Sequence, residues 1–368
     1  MNGEMFNDAY SEKPSHRTCK QWTEINWTEA GKYVNRLQIR IVKAVQANNK
    51  NLVKRLQYLL THSFYAKALA IKKVTENRGK KTPGTDNELW KTAKDKWSAI
   101  ETLDTKRYKA QPTKRVHIKK DNGKLRPLSI PTMRDRAMQT LYLFALQPIE
   151  ETTADKSSFG FRISRGCHDA CERIFHVLSR KDSSQWILEG DIRGCFDNIS
   201  HEWMLRNIPM DKRILFQFIK AGYIFKEELF PTSKGAVQGG AISPTLANMV
   251  LDGMEEMLWN TLNIGKSGKP MKRVNPHKIH LVRYADDFIV TADSKELLER
   301  AKIEIENFLS PRGLELSEEK TVITNIKEGF DFLGWNFRKY NGKLIIKPSR
   351  KSVKKLYQKV SETIKYLR

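Results

Sequence analysis

A chain of 368 residues, 39% hydrophobic and with 8 Trp, is long enough to bury a substantial core and to form about two domains or one elaborate one. Lys and Arg total 66 against 42 Asp and Glu; self-repulsion makes the resulting +24 costly unless a polyanion neutralises it, so nucleic acid is the first partner to expect. No apolar run is long enough to span a bilayer, the N-terminus lacks a secretory core, and Cys19, Cys167, Cys171 and Cys195 are too few and scattered for a disulfide framework, so an intracellular protein without a membrane partner is expected.

Residues 1–21, polar and rich in Lys, Ser, Asn and Glu, read as a flexible tail. From Trp27 to about Asn48, Val34, Leu37, Ile41, Ala44 and Val45 fall at helical spacing with Arg36, Arg40 and Lys43 between them, which predicts an amphipathic helix with a basic back. A second helical pattern runs through Leu52, Leu56, Leu59 and Leu60, and a third through Ala66, Ala70 and Val74 before Gly79 to Gly84 breaks it. The stretch from Asn77 to Gly84, with Arg78, Lys80 and Lys81, suits a solvated linker and phosphate contacts equally. Arg115 to Pro131 predicts a hairpin turning at Asn122-Gly123, its arms carrying Lys119, Lys120, Lys124 and Arg126.

Met133 to Glu151 predicts a long apolar helix and Ser183 to Ile192 a strand. Cys167, His168 and Cys171 sit together, but the second ligand cluster of a structural zinc site is missing, so buried reduced thiols are expected. Helical stretches are predicted over His201 to Tyr223 and Pro244 to Leu262, around a loop from Gly235 to Pro244. Lys278 to Tyr284 and Phe288 to Ala292 are strand-like runs joined through Ala285, Asp286 and Asp287. A helix from Ser294 to Leu309, a hairpin at Asn341-Gly342 and an amphipathic helix through Val353, Leu356, Val360, Ile364 and Leu367 complete the chain. This order predicts an α+β fold, an antiparallel sheet covered by helices on one face.

Asp191 at a strand end and Asp286-Asp287 in a hairpin turn are the donors that two-metal phosphoryl transfer needs, since hard divalent ions about 4 Å apart can be bridged by carboxylates from strands about 5 Å apart. An Asp-Asp pair alone is usually a solvated turn. Here apolar strands flank it, and carboxylates so placed repel one another without cations.

Tyr284-Ala285-Asp286-Asp287 resembles the Tyr-X-Asp-Asp box of reverse transcriptases, and the run from Asp191 to Phe196 resembles their first acidic motif. In the same order, Val237-Gln238-Gly239-Gly240 with Ser243-Pro244 and Asn248 resembles the Gln-Gly loop of group II intron enzymes, Leu314 to Thr321 their Lys-Thr segment, and Phe330 to Trp335 their primer-gripping hairpin. Arg126 to Pro131, Ser158 to Arg162 and an extension from Trp27 to Asp86 agree as well. The likeness covers nearly the whole chain from Trp22 onward, and the chain is identified as resembling a group II intron-encoded reverse transcriptase.

The resemblance implies polymerase fingers and palm with a helical N-terminal extension: extension 22–90, fingers 91–185, palm 186–347, and the start of a thumb from 348 to 368, where the chain is expected to be cut short. It implies that Asp191, Asp286 and Asp287, with Ile192 beside them, hold two Mg²⁺, Mn²⁺ being an acceptable substitute, and that Lys320 protonates the leaving pyrophosphate or forms a plain salt bridge. Lys120, Arg126, Gln238, Gly239, Tyr284 and Ala285 would meet the incoming dNTP, and Phe196 would gate against a ribose 2′-OH. Arg162, Arg165, Gly334 and Trp335 would contact nucleic acid. The implied partners are intron RNA, an RNA template, a DNA primer and dNTPs, in a bacterial cytoplasm near the nucleoid or in an organelle. Oligomeric state stays open, a homodimer included, as do two other roles: an RNA-binding splicing maturase with incidental polymerase activity, and a reverse transcriptase domesticated for phage defence or CRISPR adaptation.

Overall fold

Asn26, Asn49 and Ser63 each precede helically spaced apolar residues, and each caps the helix that follows. Asn26 accepts from the N–H groups of Thr28 and Glu29 at the start of α1 (Trp27–Gln46), Asn49 from Leu52 at α2 (Lys50–His62), and Ser63 from Ala66 at α3 (Phe64–Glu76). α1 buries Val34, Leu37, Ile41 and Ala44 as expected. In α2 the buried stripe is Val53, Leu56 and Leu60, and Leu52 and Leu59 face outward, because the packed face is turned by one residue from the Leu pattern. α4 (Ala93–Thr102) went unpredicted, although its Thr92/Asp95 capping box is legible.

The computed structural model describes residues 20–119, 123, 125–265, 267–271 and 273–367, in two units. The first takes in the described residues up to Thr152 with Pro209–Thr232 and Gln238–Ile242. The second takes in Thr153–Ile208, Ser233–Val237 and the residues from Ser243 onward. Cys19, Lys120, Asn122 and Lys124 lie outside the described residues.

In chain order the remaining elements are β1 (Thr113–Lys119), β2 (Leu125–Ile130), α5 (Met133–Thr153), α6 (Cys167–Leu178), β3 (Trp186–Asp191), α7 (Cys195–Asn198), α8 (His201–Asn207), α9 (Lys212–Ile219), β4 (Tyr223–Phe225), β5 (Glu228–Phe230), α10 (Ser243–Leu251), α11 (Met254–Leu262), β6 (His280–Tyr284), β7 (Asp287–Ala292), α12 (Lys295–Leu309), β8 (Val322–Asn325), β9 (Phe330–Phe332), β10 (Trp335–Tyr340), β11 (Lys343–Pro348) and α13 (Arg350–Leu367). The helical stretch expected over His201 to Tyr223 is two helices, α8 and α9. Pro209 cannot continue the first, and Asp211 caps the second by accepting from Arg213 and Ile214, while Tyr223 opens a strand. The helical stretch expected over Pro244 to Leu262 breaks likewise at Gly253, whose φ of 93° belongs to the left-handed region.

In the first unit β1 and β2 form the expected hairpin, and β4 adds to β1 in parallel, giving the order β2-β1-β4-β5. The cationic Asn77 to Gly84 stretch is built in: the buried Arg136 guanidinium donates to Gly79 O at 3.0 Å, Thr82 O at 2.6 Å and Pro131 O at 2.9 Å. In the second unit β6-β7-β3-β8 is an antiparallel sheet. One face presents Ile187, Val282 and Ile289 to Ala170, Ile174 and Leu178 of α6 and to Phe330, Phe332 and Phe337. On the other face Leu188, Leu281, Phe288 and Val290 are equally buried, and α12 packs along β3 and β7. Both faces are therefore covered, where element order alone suggests one. β9, β10 and β11 form a separate antiparallel sheet whose Asn341 and Gly342, at φ 49° and 80°, make the expected turn.

Candidate active site

The register of β3 against β7 pairs Asp191 directly with Asp287, and that of β6 against β7 pairs Tyr284 with Asp287. Directly opposed residues share a face, so both carboxylates leave the sheet on one side, with Asp286 beside them in the turn. Two glycines make this geometry attainable. At Gly190 an added Cβ would stand 2.2 Å from the Phe288 ring, which lies across the strand before Asp191. At Gly160 it would stand 2.4 Å from Ala285 N, so the segment holding Ser158 and Phe159 runs tight against the turn. Ala285 itself takes φ 57°, a conformation uncommon outside glycine.

Charge is concentrated at this edge. Lys320 Nζ meets Asp191 Oδ2 at 2.9 Å, and that hydrogen bond holds the ammonium above the usual lysine range. Asp287 stays open to solvent, yet surrounding protein withdraws enough water, and Asp286 and Asp191 add enough repulsion, to push its carboxyl up to about 6. Hard oxygen donors that repel one another suit Mg²⁺ or Mn²⁺. Among the described residues no three His, Cys, Asp or Glu side chains already converge as a cage. Mg²⁺ does not require one, since it keeps waters and takes one or two carboxylates together with substrate phosphates.

The other expected residues divide by environment. Ile192 is 1% exposed with a hydrocarbon side chain, so only its carbonyl can ligate. Phe196, on α7, meets Phe161 edge-on at 6.2 Å. Tyr284 is half-buried against the β6 and α6 core. Within the first unit Arg126 Nε donates to Gln238 Oε1 at 3.3 Å, and Ser129 N–H donates to Gln238 O at 2.7 Å. The close approach that Gly239 permits, at φ 104°, is to Ser129 O of β2. Arg162 is buried and spends Nη1 on Asp155 O and Ser158 O, which makes it an organiser of its own loop. Arg165 is half-buried and donates to Lys156 O and Ser158 O. Gly334, at φ 84°, gives its carbonyl to Ser349 N–H and Ser352 Oγ, and Trp335 packs beside Phe332. Cys195 is buried and Cys167 and Cys171 half-buried, all three free.

Sequence reading passed over Gly160, Gly190 and Arg283. A glycine inside an apolar strand is a signal of close backbone approach, so Gly190 was legible. Arg283 was not, because it reads as a surface cation of an alternating strand.

The chain belongs to the reverse transcriptase family: residues 118–337 match its model, described as reverse transcriptase (RNA-dependent DNA polymerase), and residues 22–103 match the N-terminal domain of reverse transcriptase. Its relatives are group II intron-encoded proteins and maturases. The group II intron-encoded protein LtrA of Lactococcus lactis subsp. cremoris is 30% identical over 362 residues, covering 81% of this chain and 59% of its own length. Protein YkfC of Escherichia coli is 31% identical over 315 residues, covering 77% and 82%. The chain thus spans about three fifths of LtrA. Telomerase from Candida albicans shares the fold, with a TM-score of 0.50 at 14% identity over 67% of this chain and 47% of that one. Reverse transcriptases use divalent metal ions and act on RNA and other nucleic acid strands. Among the described residues no helix is long and apolar enough to cross a membrane.

Proposed function

We propose that this chain extends a primer 3′-OH with deoxynucleotides along an RNA template, and that Asp191, Asp286, Asp287 and the Ile192 carbonyl hold two Mg²⁺, or Mn²⁺ in their place. The cross-strand pairing of Asp191 with Asp287 beside Asp286 carries the reading. When bound, such ions activate the attacking hydroxyl and stabilise the leaving pyrophosphate. The chain's own part is to bring three carboxylates to one sheet edge and to place the Lys320 ammonium, bonded to Asp191 at 2.9 Å, beside them as a cation for anionic phosphate. Arg126, steadied by Gln238, together with Lys120, serves the triphosphate, and the Phe196 ring, backed by Phe161, excludes a 2′-OH. Gly239, Tyr284 and Ala285 shape the nucleotide's surroundings, and Arg165, Gly334 and Trp335 serve template and primer.

Primer extension on an RNA template with Mg²⁺ tests this. Asp286→Ala should abolish extension while RNA binding is retained; extension that survives the substitution would sink the proposal. A splicing role with intron RNA accompanies polymerisation in this reading, supported by the +24 charge and by relatives named as intron-encoded proteins and maturases. A bacterial cytoplasm, near the nucleoid, suits both activities.

A further inference from the structure

We infer that Arg283, Asp252 and Asn248 form a positioning clamp that sets the metal-binding turn from behind the sheet. Arg283 pairs with Phe288 across β6 and β7, so its side chain leaves the sheet on the face opposite Tyr284, Asp191 and Asp287. Its side chain is 0% exposed. From there Nη1 donates to the Ala285 carbonyl at 3.3 Å and to Asn248 Oδ1 at 3.3 Å, and Nη2 donates to Asp252 Oδ1, an ion pair with a carboxylate only 10% exposed.

The turn is gripped on its other side by the same network. Asn248 Nδ2 donates to Gly160 O at 2.9 Å, and Gly160 is the residue packed against Ala285 N. Ala285 is therefore bonded at its carbonyl by Arg283 and packed at its nitrogen against Gly160, whose own carbonyl Asn248 bonds. A second carboxylate, Asp155, feels the Arg283 charge and accepts from Gly253 N and Glu255 N, which anchors the junction of α10 and α11.

Burying a guanidinium and a carboxylate is a poor way to stabilise a core, because apolar side chains of similar volume do as well or better. What the ion pair supplies is direction: a planar fork reaches a carboxylate, an amide and a main-chain carbonyl at fixed angles. The carbonyl it reaches belongs to the residue before Asp286. Arg283 leaves the sheet on the face away from Asp191 and Asp287, so it acts through the turn's geometry.

The clamp rests on the reading that Asp286 and Asp287 bind divalent cations, and its test separates the two. Arg283→Lys keeps the charge but replaces the fork by a point donor; Asn248→Ala leaves the buried ion pair and cuts the links to Gly160 and Arg283. Each variant is checked for native thermal unfolding, and Mn²⁺ binding to the substrate-free protein is followed by electron paramagnetic resonance. Loss of a supporting contact weakens metal sites about 10-fold or more. Both variants should bind Mn²⁺ about 10-fold more weakly and raise the Mg²⁺ concentration for half-maximal extension in proportion, with KM for dNTP nearly unchanged. Should Asp286→Ala lose Mn²⁺ while folded Arg283→Lys and Asn248→Ala bind it like the parent, the clamp is wrong and the metal reading stands. Should Asp286→Ala bind Mn²⁺ unchanged, the metal reading itself fails. If Arg283→Lys does not fold, Asn248→Ala alone decides.

Discussion

Gly190 shows how one missing methyl group determines where a carboxylate sits. An alanine there would press its Cβ into the Phe288 ring from 2.2 Å, and the ring has no room to leave because Phe288 is 1% exposed. Gly190→Ala should cost about 1–3 kcal/mol in denaturant unfolding, the usual cost of overpacking a core. Combining it with Phe288→Leu should recover part of that loss, and strict additivity of the two changes would contradict the clash. His280 offers a second test at this scale. Burial and the nearby Arg173 charge, partly opposed by Glu255, depress its imidazole to about 4 from 6.5. Between those values the unfolded chain binds a proton that the folded one refuses, so stability falls as pH drops from about 6.5 towards 4. The contribution is on the order of 1–2 kcal/mol once partial exposure is allowed for. Thermal melts of His280→Gln should show a shallower acid-side decline than the parent; parallel declines would remove His280 as the cause.

Elements were legible wherever periodicity and caps agreed, as in α1, α3, α12 and the two Gly-bearing hairpins at Gly123 and Gly342. Errors fell at breaks. Apolar spacing runs on through Ile208 to Ile214 and through Leu251 to Met254, and it hid the Pro209-Asp211 and Asp252-Gly253 interruptions that the backbone obeys. Asp211 is the hinge of the first break. Asp211→Ala removes the side chain that satisfies Arg213 and Ile214 N–H, and should cost about 1 kcal/mol by thermal or urea unfolding. A cost near zero would mean water caps α9 equally well. α4 was missed for the opposite reason, since its apolar pattern is thin and only the Thr92/Asp95 box announces it.

At the scale of the whole molecule, charge makes its own prediction. With a net +24, RNA binding should be driven by counterion release and so weaken steeply with salt. Affinity for single-stranded RNA, measured by filter binding, should fall at least about 100-fold between about 50 and 200 mM KCl. A flat salt response would mean that the excess cations do not face the nucleic acid.

The sequence by itself determined the family, the identity and order of the acidic motifs, and the fact that Asp286-Asp287 sits in a turn between apolar strands, because each depends on neighbouring residues and local periodicity. Only the tertiary structure decided which carboxylates oppose each other, for register between Asp191 and Asp287 is a contact across nearly a hundred positions of sequence. It also decided that the sheet is covered on both faces and that the chain passes repeatedly between its two units. Arg283 marks the boundary most sharply: in the sequence it is one cation among 66, and in the fold it is a buried fork behind the turn that carries Asp286. Local pattern can say what a residue is; which side of a sheet it leaves from, and what waits for it there, is settled by long-range packing.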